Sequence, residues 1–390
     1  MERIKLVKDT IDANDINLLI EWLKTNPILT KNKLTVEFEE KYSKYQNRKY
    51  SVFLNSGSSA NLAMIYSLLM SGKLENKNII VPAVSWTTTV SPIIQLGLNP
   101  ILCECDKETL GLDIDYLKML VKDGINNNCK PSVIMLVHVL GFPNKMKEIL
   151  EICEQNDIIL LEDSCESIGS FYNDIKTGSF GLMSSFSFYY GHHMSTIEGG
   201  MVCTDDYDLY CILKSIRAHG WDRDLDEPFK SKLKEGFDVD DFKDLYTFYY
   251  PGFNLRSTDL QAFIGINQLD KIEKHCILRQ WNYELYQEFI KNDYWKITDF
   301  DHCKISNFAY PIIHPNIKEI AKALDDGGVD CRPLVCGSIG NQPYWIKKYG
   351  KQSFEFADIV DKFGLYVPNN PDLTSEEILY ICDIVNKNIK

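Results

Sequence analysis

Short apolar runs alternate with amphipathic helical patterns between about residues 50 and 205. This alternation predicts an α/β fold, in which crossover helices cover both faces of a mainly parallel sheet. The runs predicted as strands are 51–54, 79–82, 100–104, 132–138, 158–162, 185–189 and 201–204. Helices are predicted between them, for example at 146–155 and 207–217. Ligands of such sheets bind at the carboxyl ends of the strands, so the loops that follow the strands are the expected location of a functional site.

The pattern changes after a long helical spacing at 257–275. The segments that follow are predicted as helix, strand, helix and helix, at 283–290, 307–313, 317–325 and 375–387. The sequence therefore predicts a large domain over 1–270, including an N-terminal segment, and a smaller C-terminal α+β domain over 271–390. The acidic segment 222–244 contains a proline and a glycine and is predicted to be a solvated surface loop.

The chain has 390 residues, of which 42 are basic and 55 acidic, giving a formal net charge of −13. A chain of this length can bury a sizeable core without disulfides or a structural metal. Its acidic balance argues against nucleic-acid binding but allows a local cationic site for an anionic small ligand. The strongly apolar stretch 132–143 is too short to cross a bilayer. Because residues 1–17 are also unlike a secretory signal, we expect a cytoplasmic protein that does not bind membranes.

The 12 cysteines are scattered along the chain and form no Cys-x-x-Cys motif. In a protein expected to be cytoplasmic, such cysteines are predicted to be reduced thiols and mostly buried. A cysteine-ligated metal cluster is the alternative interpretation of so many sulfur atoms.

The segment Asn55-Ser-Gly-Ser-Ser-Ala-Asn61 follows an apolar run and opens a predicted helix. Gly57 allows close approach of the backbone, and Ser58 adds a hydroxyl beside the free amides of the helix start. These features suit a phosphate group. An ordinary capped helix is the alternative. The dinucleotide-binding and P-loop glycine motifs are both absent from the sequence.

Two carboxylates, Glu162 and Asp163, end the strongly apolar run that begins at residue 158. A carboxylate at such a position is costly to bury without a partner or a task. Asp163 is predicted to point into the cleft, where it can pair with a protonated ring nitrogen. A salt bridge, or a helix cap shared with Ser164, is the alternative.

Two adjacent histidines, His192 and His193, lie in a predicted loop shortly before Glu198-Gly-Gly. Adjacent histidines rarely ligate one metal ion, and no further histidine or cysteine lies at ligand spacing. An imidazole that acts as a base is the preferred interpretation, because its ordinary pKa of about 6.5 suits proton transfer at neutral pH.

Taken together, these segments resemble the pyridoxal-phosphate-dependent sugar aminotransferase and dehydratase family, which has the aspartate-aminotransferase type of fold (PLP fold type I). The resemblance covers essentially the whole chain and keeps the family's order and spacing. The matching blocks are LTVEFEEKY, NSGSSANLAM, VPAVSWTTTVSPIIQLG, LLEDSCESIGS, SFSFYYGHHMSTIEGGMV, PGFNLRSTDLQAFIGINQL and CRPLV.

This resemblance implies a complete site for pyridoxal 5'-phosphate (PLP) or pyridoxamine 5'-phosphate (PMP). Gly57 and Ser58 would hold the phosphate, and Trp86 would stack on the pyridine ring. Asp163 would pair with the pyridinium nitrogen and so keep the ring an electron sink. Glu166 would lie against the other face of the ring or near its hydroxyl.

Ser187 and Asn254 receive roles from the same resemblance, and His219 and Arg332 are secondary site candidates. Ser187 would add a hydrogen bond to the phosphate. Asn254 would reach the cofactor of a neighbouring subunit, which implies a homodimer with shared active sites. His219 would assist loss of a hydroxyl, with an ordinary loop histidine as the alternative. Arg332 would bind the carboxylate of an amino donor as a planar fork, with a structural ion pair as the alternative.

His192 departs from the common pattern of the family, where this position is the lysine that forms an imine with the cofactor. Imidazole cannot form a stable imine, so only the proton-transfer role of that lysine remains. This departure resembles the family's 3-dehydratases, which act on nucleotide-linked 4-keto-6-deoxyhexoses in deoxysugar and O-antigen biosynthesis. A GDP-linked substrate is favoured.

The dehydratase resemblance implies a reaction in two halves. Glutamate would convert PLP to PMP, whose amine then condenses with the 4-keto group of the sugar. His192 would remove the proton at C4′ of the cofactor, the C3 hydroxyl would leave, and water would release ammonia.

One alternative is rejected at the level of sequence, and two remain open. A dehydratase branch that acts on CDP-sugars uses an iron–sulfur cluster, but no cysteine lies between Trp221 and Cys276, so no cluster is expected. A sugar aminotransferase would have to recruit another lysine, or His192 would have to replace its natural lysine. A non-catalytic sensor that binds the cofactor or a sugar nucleotide is the third alternative.

Overall fold

The apolar runs of the sequence form strands in the computed structural model, which describes residues 3–297 and 303–389. In chain order, the strands are β1 (Tyr50–Leu54), β2 (Asn78–Pro82), β3 (Asn99–Cys103), β4 (Val133–Val137), β5 (Ile159–Asp163), β6 (Phe171–Tyr172), β7 (Ile175–Lys176), β8 (Met183–Ser187), β9 (Gly200–Thr204), β10 (Cys303–Lys304), β11 (Tyr310–Ile313), β12 (Arg332–Pro333) and β13 (Gly364–Val367). Each of the seven predicted runs before residue 205 overlaps one strand, and its ends shift by at most two residues.

Seven of these strands form one sheet in the order β1-β9-β8-β5-β4-β2-β3. The pairs β2/β3, β2/β4, β4/β5 and β5/β8 are parallel, whereas β9 runs antiparallel to both β1 and β8. The expected mainly parallel α/β fold is therefore confirmed, with two antiparallel pairings at one side. Strand β9 reverses because a loop, residues 188–199, joins it to β8 in place of a crossover helix. This loop contains both adjacent histidines.

Helices cover the sheet and build most of the last third of the chain. They are α1 (Ala13–Leu23), α2 (Lys33–Gln46), α3 (Gly57–Met70), α4 (Thr87–Gln95), α5 (Ile114–Asn126), α6 (Met146–Asn156), α7 (Tyr207–Arg217), α8 (Glu227–Lys234), α9 (Asp241–Asp244), α10 (Asp259–Leu269), α11 (Ile272–Phe289), α12 (Ile317–Asp326), α13 (Pro343–Tyr349), α14 (Glu355–Phe363) and α15 (Ser375–Asn388). None of the described helices is long and apolar enough to cross a membrane.

Two sequence predictions of secondary structure, one of a helix and one of a loop, were wrong in detail. The pattern at 257–275 is two helices, because α10 ends at Leu269 and α11 begins at Ile272 and continues through the separately predicted 283–290. No glycine or proline marks this break, and the apolar spacing continues across it. The segment 222–244 contains α8 and α9, each started by an aspartate side chain that caps it. Because the segment is highly charged, the pattern of apolar residues does not indicate these short helices.

The last third of the chain has its own three-stranded sheet, in the order β11-β13-β12. Residues near the start of the chain contact this part, since Ile4 pairs with Val329 and Arg3 binds Asp325 and Asp330, each at 2.6 Å. The predicted division between 1–270 and 271–390 stays a prediction. The packing of the first residues against the last third is an arrangement that the sequence patterns did not indicate.

Candidate active site

A cavity of about 370 Å³ lies at the carboxyl edge of the main sheet, where β5 and β8 end side by side. It is bounded by the start of α3, the start of α4, the loop 188–199 and residues of the last third of the chain. Seven predicted site residues line it: Gly57, Ser58, Trp86, Asp163, Glu166, Ser187 and His192. Residues widely separated in sequence therefore meet as the motifs indicated.

The phosphate-binding prediction corresponds to the first turn of α3. Gly57 and Ser58 are its first two residues, whose amides lie beyond the reach of the helix's own hydrogen bonds. The Ser56 hydroxyl caps the helix by accepting from the Ser59 amide at 3.1 Å. A Cβ on Gly57 would lie 2.6 Å from Cβ of Ser187, so only glycine lets the helix start approach the end of β8 this closely. This cradle fits a phosphate group.

Asp163 ends β5 and is held by neutral donors rather than by a cation. Its Oδ2 accepts from Asn61 Nδ2 at 2.8 Å and from Thr89 Oγ1 at 2.7 Å, and its Oδ1 accepts from the Cys165 amide at 3.2 Å. The side chain is buried, yet it lines the cavity. An oriented carboxylate of this kind fits a protonated ring nitrogen. Sequence reasoning missed Asn61 and Thr89, although Asn61 lies one helical turn after Gly57 in the same motif.

The neighbouring carboxylate, Glu162, has a different environment because adjacent residues of a strand point to opposite faces. Fully buried, it accepts from His138 Nε2 at 3.0 Å and from the amides of Gly178, Phe180 and Gly181 at 2.6–2.8 Å. Burial raises the pKa of Glu162, but these hydrogen bonds outweigh burial and leave the pKa below its ordinary value. Glu162 therefore joins β5 to the loop before β8 and does not line the cavity.

Glu166 contributes a second carboxyl group to the cavity. Its Oε2 accepts from the Leu140 amide at 2.7 Å. Burial raises the pKa of Glu166 to about 7, against the effect of that amide and with the help of the nearby Asp163 charge. The group therefore exchanges a proton near neutral pH.

The two adjacent histidines have separate environments. The His192 ring lines the cavity and packs on Phe308, with 4.9 Å between ring centroids, and its buried Nδ1 has no hydrogen-bond partner among the described residues. Burial lowers the pKa of His192 to about 4, so the imidazole is neutral at pH 7 and able to accept a proton. His193 points away from the cavity, and its Nε2 donates to the Ser306 carbonyl at 2.8 Å.

The described residues that line the cavity include no lysine. An imine to the cofactor therefore has no amine donor in this cavity. The phosphate cradle, the oriented Asp163 and the unpaired nitrogen of His192 fit a PLP or PMP molecule held without a covalent bond.

The remaining predicted residues lie outside this cavity within a single chain. His219 has a left-handed backbone with φ 66° just after α7, and its Nε2 is 3.4 Å from Nη2 of Arg256. Asn254 pairs with Ala218 and accepts from Arg256 Nε at 3.0 Å. The roles of His219 and Asn254 stay predictions.

Arg332 lies in a second cavity of about 550 Å³ that adjoins the first. The two cavities share Trp86, Val335 and Tyr366. Arg332 is exposed and donates to the neighbouring Cys331 carbonyl at 2.8 Å. Trp86 is 53% exposed, so its ring has a free surface at the junction of the cavities.

Comparison with known proteins agrees with a PLP or PMP site in this cavity. Residues 9–386 match the DegT/DnrJ/EryC1/StrS aminotransferase family. GDP-4-keto-6-deoxy-D-mannose 3-dehydratase of Yersinia pseudotuberculosis is 34% identical over 99% of both chains. A solved structure of the E. coli enzyme of that name, with bound hydrated PLP, has a TM-score of 0.89 at 34% identity and covers 99% of this chain and 100% of its own. Another structure of such a dehydratase holds a trapped PLP–glutamate geminal diamine, with a TM-score of 0.87, 33% identity and coverage of 98% and 100%. The chain therefore belongs to the DegT/DnrJ/EryC1/StrS aminotransferase family.

Proposed function

We propose that the protein is a PLP/PMP-dependent 3-dehydratase of a nucleotide-linked 4-keto-6-deoxyhexose. The observation that carries the proposal is His192, whose neutral ring lines a cavity in which the described residues include no lysine. A transaminase of this fold needs an amine at that position to recapture the cofactor, whereas a dehydratase needs a base. The names of the similar proteins favour GDP-4-keto-6-deoxymannose as substrate and glutamate as amino donor.

When bound, PMP supplies an amine for the 4-keto carbon and an aromatic ring that withdraws electrons. The first turn of α3, with Gly57 and Ser58, binds the phosphate through free amides and the serine hydroxyl. Asp163, fixed by three donors, keeps the ring nitrogen protonated. Trp86 covers one face of the ring with its exposed indole.

Proton movement falls to two groups of the cavity, His192 as the neutral acceptor and Glu166 as the group that exchanges a proton near pH 7. His192 is neutral at pH 7 and would accept the proton from C4′ of the bound cofactor. Glu166, with a pKa raised to about 7, donates a hydrogen bond when protonated and stabilises negative charge that develops on the ring hydroxyl. Across the whole cycle the C3 oxygen leaves as water, ammonia is released, and glutamate becomes its 2-oxo acid.

A homodimer with shared active sites is part of this proposal. Asn254, His219 and Arg256 form one hydrogen-bonded group outside the cavity of their own chain. This group would belong to the active site of a partner subunit. Arg332, at the adjoining cavity, would bind a carboxylate or phosphate of the substrate. A cytoplasmic location and a role in deoxysugar and O-antigen biosynthesis complete the proposal.

To test the proposal, the protein is incubated with PLP, glutamate and a panel of 4-keto-6-deoxy sugars linked to GDP, CDP or dTDP. Ammonia and product mass are then measured. We expect ammonia and a 3,6-dideoxy-4-keto sugar from the GDP-linked substrate, and neither from His192→Asn. A product that retains nitrogen would identify an aminotransferase, and cofactor binding without turnover of any sugar would support a sensor.

A parallel measurement concerns the metal. The absence of an iron–sulfur cluster stays a prediction, and it is checked by anaerobic purification followed by iron and sulfide assays. Stoichiometric iron would place the protein in the redox branch of the dehydratases.

A further inference from the structure

Arg279, in the middle of α11, is a buried cation whose hydrogen bonds all go to backbone carbonyls. Its side chain is 1% exposed. Nη1 donates to Phe308 O at 2.9 Å and to Asn369 O, and Nη2 donates to the carbonyls of Gly191 and His192, both at 3.3 Å. No carboxylate pairs with it within residues 3–297 and 303–389. A buried charge without a counter-ion is costly, so a merely structural role would favour a neutral side chain here.

Three of the four carbonyls belong to residues at or beside His192. Two belong to the loop that carries this ring, and a third belongs to Phe308, whose own ring packs against the imidazole at 4.9 Å. The fourth belongs to Asn369, which forms a second hydrogen bond with the same residue: Asn369 Nδ2 donates to the Arg279 carbonyl at 3.1 Å. One guanidinium group therefore connects the backbone under His192 to the aromatic surface beside it.

The charge of Arg279 also affects the imidazole. The groups that face His192 from the surrounding elements are Asp163 and Glu166 in the cavity, the Cys165 backbone, the Tyr189 ring, His193 and Arg279. Burial is the main cause of the lowered pKa of His192, and the Arg279 charge lowers it further. The pKa of His193 is lowered by the same two causes. The hydrogen bond to the Cys165 backbone acts in the opposite direction.

We propose that Arg279 is a positioning residue for His192: its guanidinium fixes the backbone and the aromatic neighbour of the imidazole. The inference rests on the proposed function for its catalytic meaning, since it assumes that His192 is the base. Its physical content concerns only residues of this chain and can be measured without cofactor or substrate.

The test follows the His192 ring by NMR as a function of pH in the protein without cofactor, with the signal assigned by its loss in His192→Asn. In the unmodified protein we expect the ring to stay neutral down to about pH 5. In Arg279→Met we expect its pKa to rise, because one nearby positive charge has been removed and the loop that carries the ring is no longer fixed. Arg279→Lys keeps that charge and should leave the pKa close to the unmodified value.

Arg48→Met is the matched control. Arg48 is also a buried arginine that donates to two backbone carbonyls, those of Gly181 and Leu182, at 3.0 and 3.1 Å, and it differs from Arg279 in pairing with Asp205 at 3.2 Å. Its loss should lower the melting temperature without moving the His192 titration. An equal pKa shift in Arg48→Met, or no shift in folded Arg279→Met, would overturn the proposal. If the Arg279 variants do not fold, titration of His192 near its ordinary pKa in the unmodified protein would overturn it equally.

A second readout separates this inference from the proposed function. The rate at which glutamate converts bound PLP to the amine form is followed by absorbance. We expect at least a tenfold loss in Arg279→Met and partial recovery in Arg279→Lys. A titration shift without dehydratase activity in the unmodified protein would refute the function alone, and dehydratase activity without the shift would refute the role of Arg279 alone.

Discussion

Acidification should destabilise the protein through His192, and the structure gives the size of the effect. The ring is fully buried, and its pKa falls from 6.5 to about 4 on folding. Below pH 6.5 the unfolded chain therefore takes up a proton that the folded chain cannot hold until about pH 4. The folded state loses stability as the pH falls through this window and keeps it above pH 6.5.

The magnitude follows from the two pKa values. One pKa unit corresponds to about 1.4 kcal/mol, and pH 5 lies about 1.5 units below the ordinary histidine pKa. His192 should therefore account for about 2 kcal/mol of stability lost between pH 7 and pH 5. That amount is a large fraction of the stability of an ordinary protein.

Urea unfolding of the cofactor-free protein and of His192→Asn at pH 7, 6 and 5 measures this contribution. All other titrating groups are present in both proteins, so their effects cancel in the difference between the two curves. We expect the free energy of unfolding of the variant to fall by about 2 kcal/mol less over this range. Parallel curves would show that the ring titrates normally in the folded state and would refute the reasoning.

Three further predictions concern the same cavity. Glu166→Gln should change the pH dependence of stability in the opposite direction. The pKa of Glu166 is raised to about 7, so its favourable contribution to stability is present at acidic pH and is lost as the pH rises through 7. Urea unfolding between pH 5 and 8 should therefore show a smaller decline in the free energy of unfolding of the variant. Gly57→Ala should weaken PLP binding at least tenfold in an absorbance titration, because the new Cβ would lie 2.6 Å from Ser187; unchanged affinity would show that the helix start does not hold the phosphate. His192→Lys should gain the absorbance of an imine with PLP and lose ammonia release, whereas ammonia release at the original rate would exclude His192 as the base.

The sequence predicted the parts of the site that depend on chain-local signals. Asp163 lines the cavity as its position after the apolar run 158–162 indicated, whereas Ser187, which also lines it, was a candidate only through the family resemblance. Gly57 was placed by its position at the start of a helix. Strand alternation explains why Glu162 does not line the cavity beside Asp163, a distinction that the sequence predictions did not include.

The remaining features depend on contacts that no local pattern encodes. Asn61 and Thr89 orient Asp163 from two different helices, and Phe308 reaches His192 from the last third of the chain. The end of α10 lies where the apolar spacing continues, because tertiary packing and not helix propensity sets that break. The different environments of the two adjacent histidines likewise arise from the loop around Ser306.

The pairing of the first described residues with the last third of the chain has a consequence for biosynthesis. Ile4 forms its bridge with Val329, and Arg3 forms its ion pairs with Asp325 and Asp330. A ribosome adds about 5–20 residues per second, so the earliest residues wait tens of seconds before their partners have been made. The parallel strands can form during that interval, whereas the segment around Ile4 can dock only after residue 330 has been made. Completion of the native structure is thus tied to the end of translation, and a nascent chain stalled before residue 325 would expose its own beginning to proteases and chaperones.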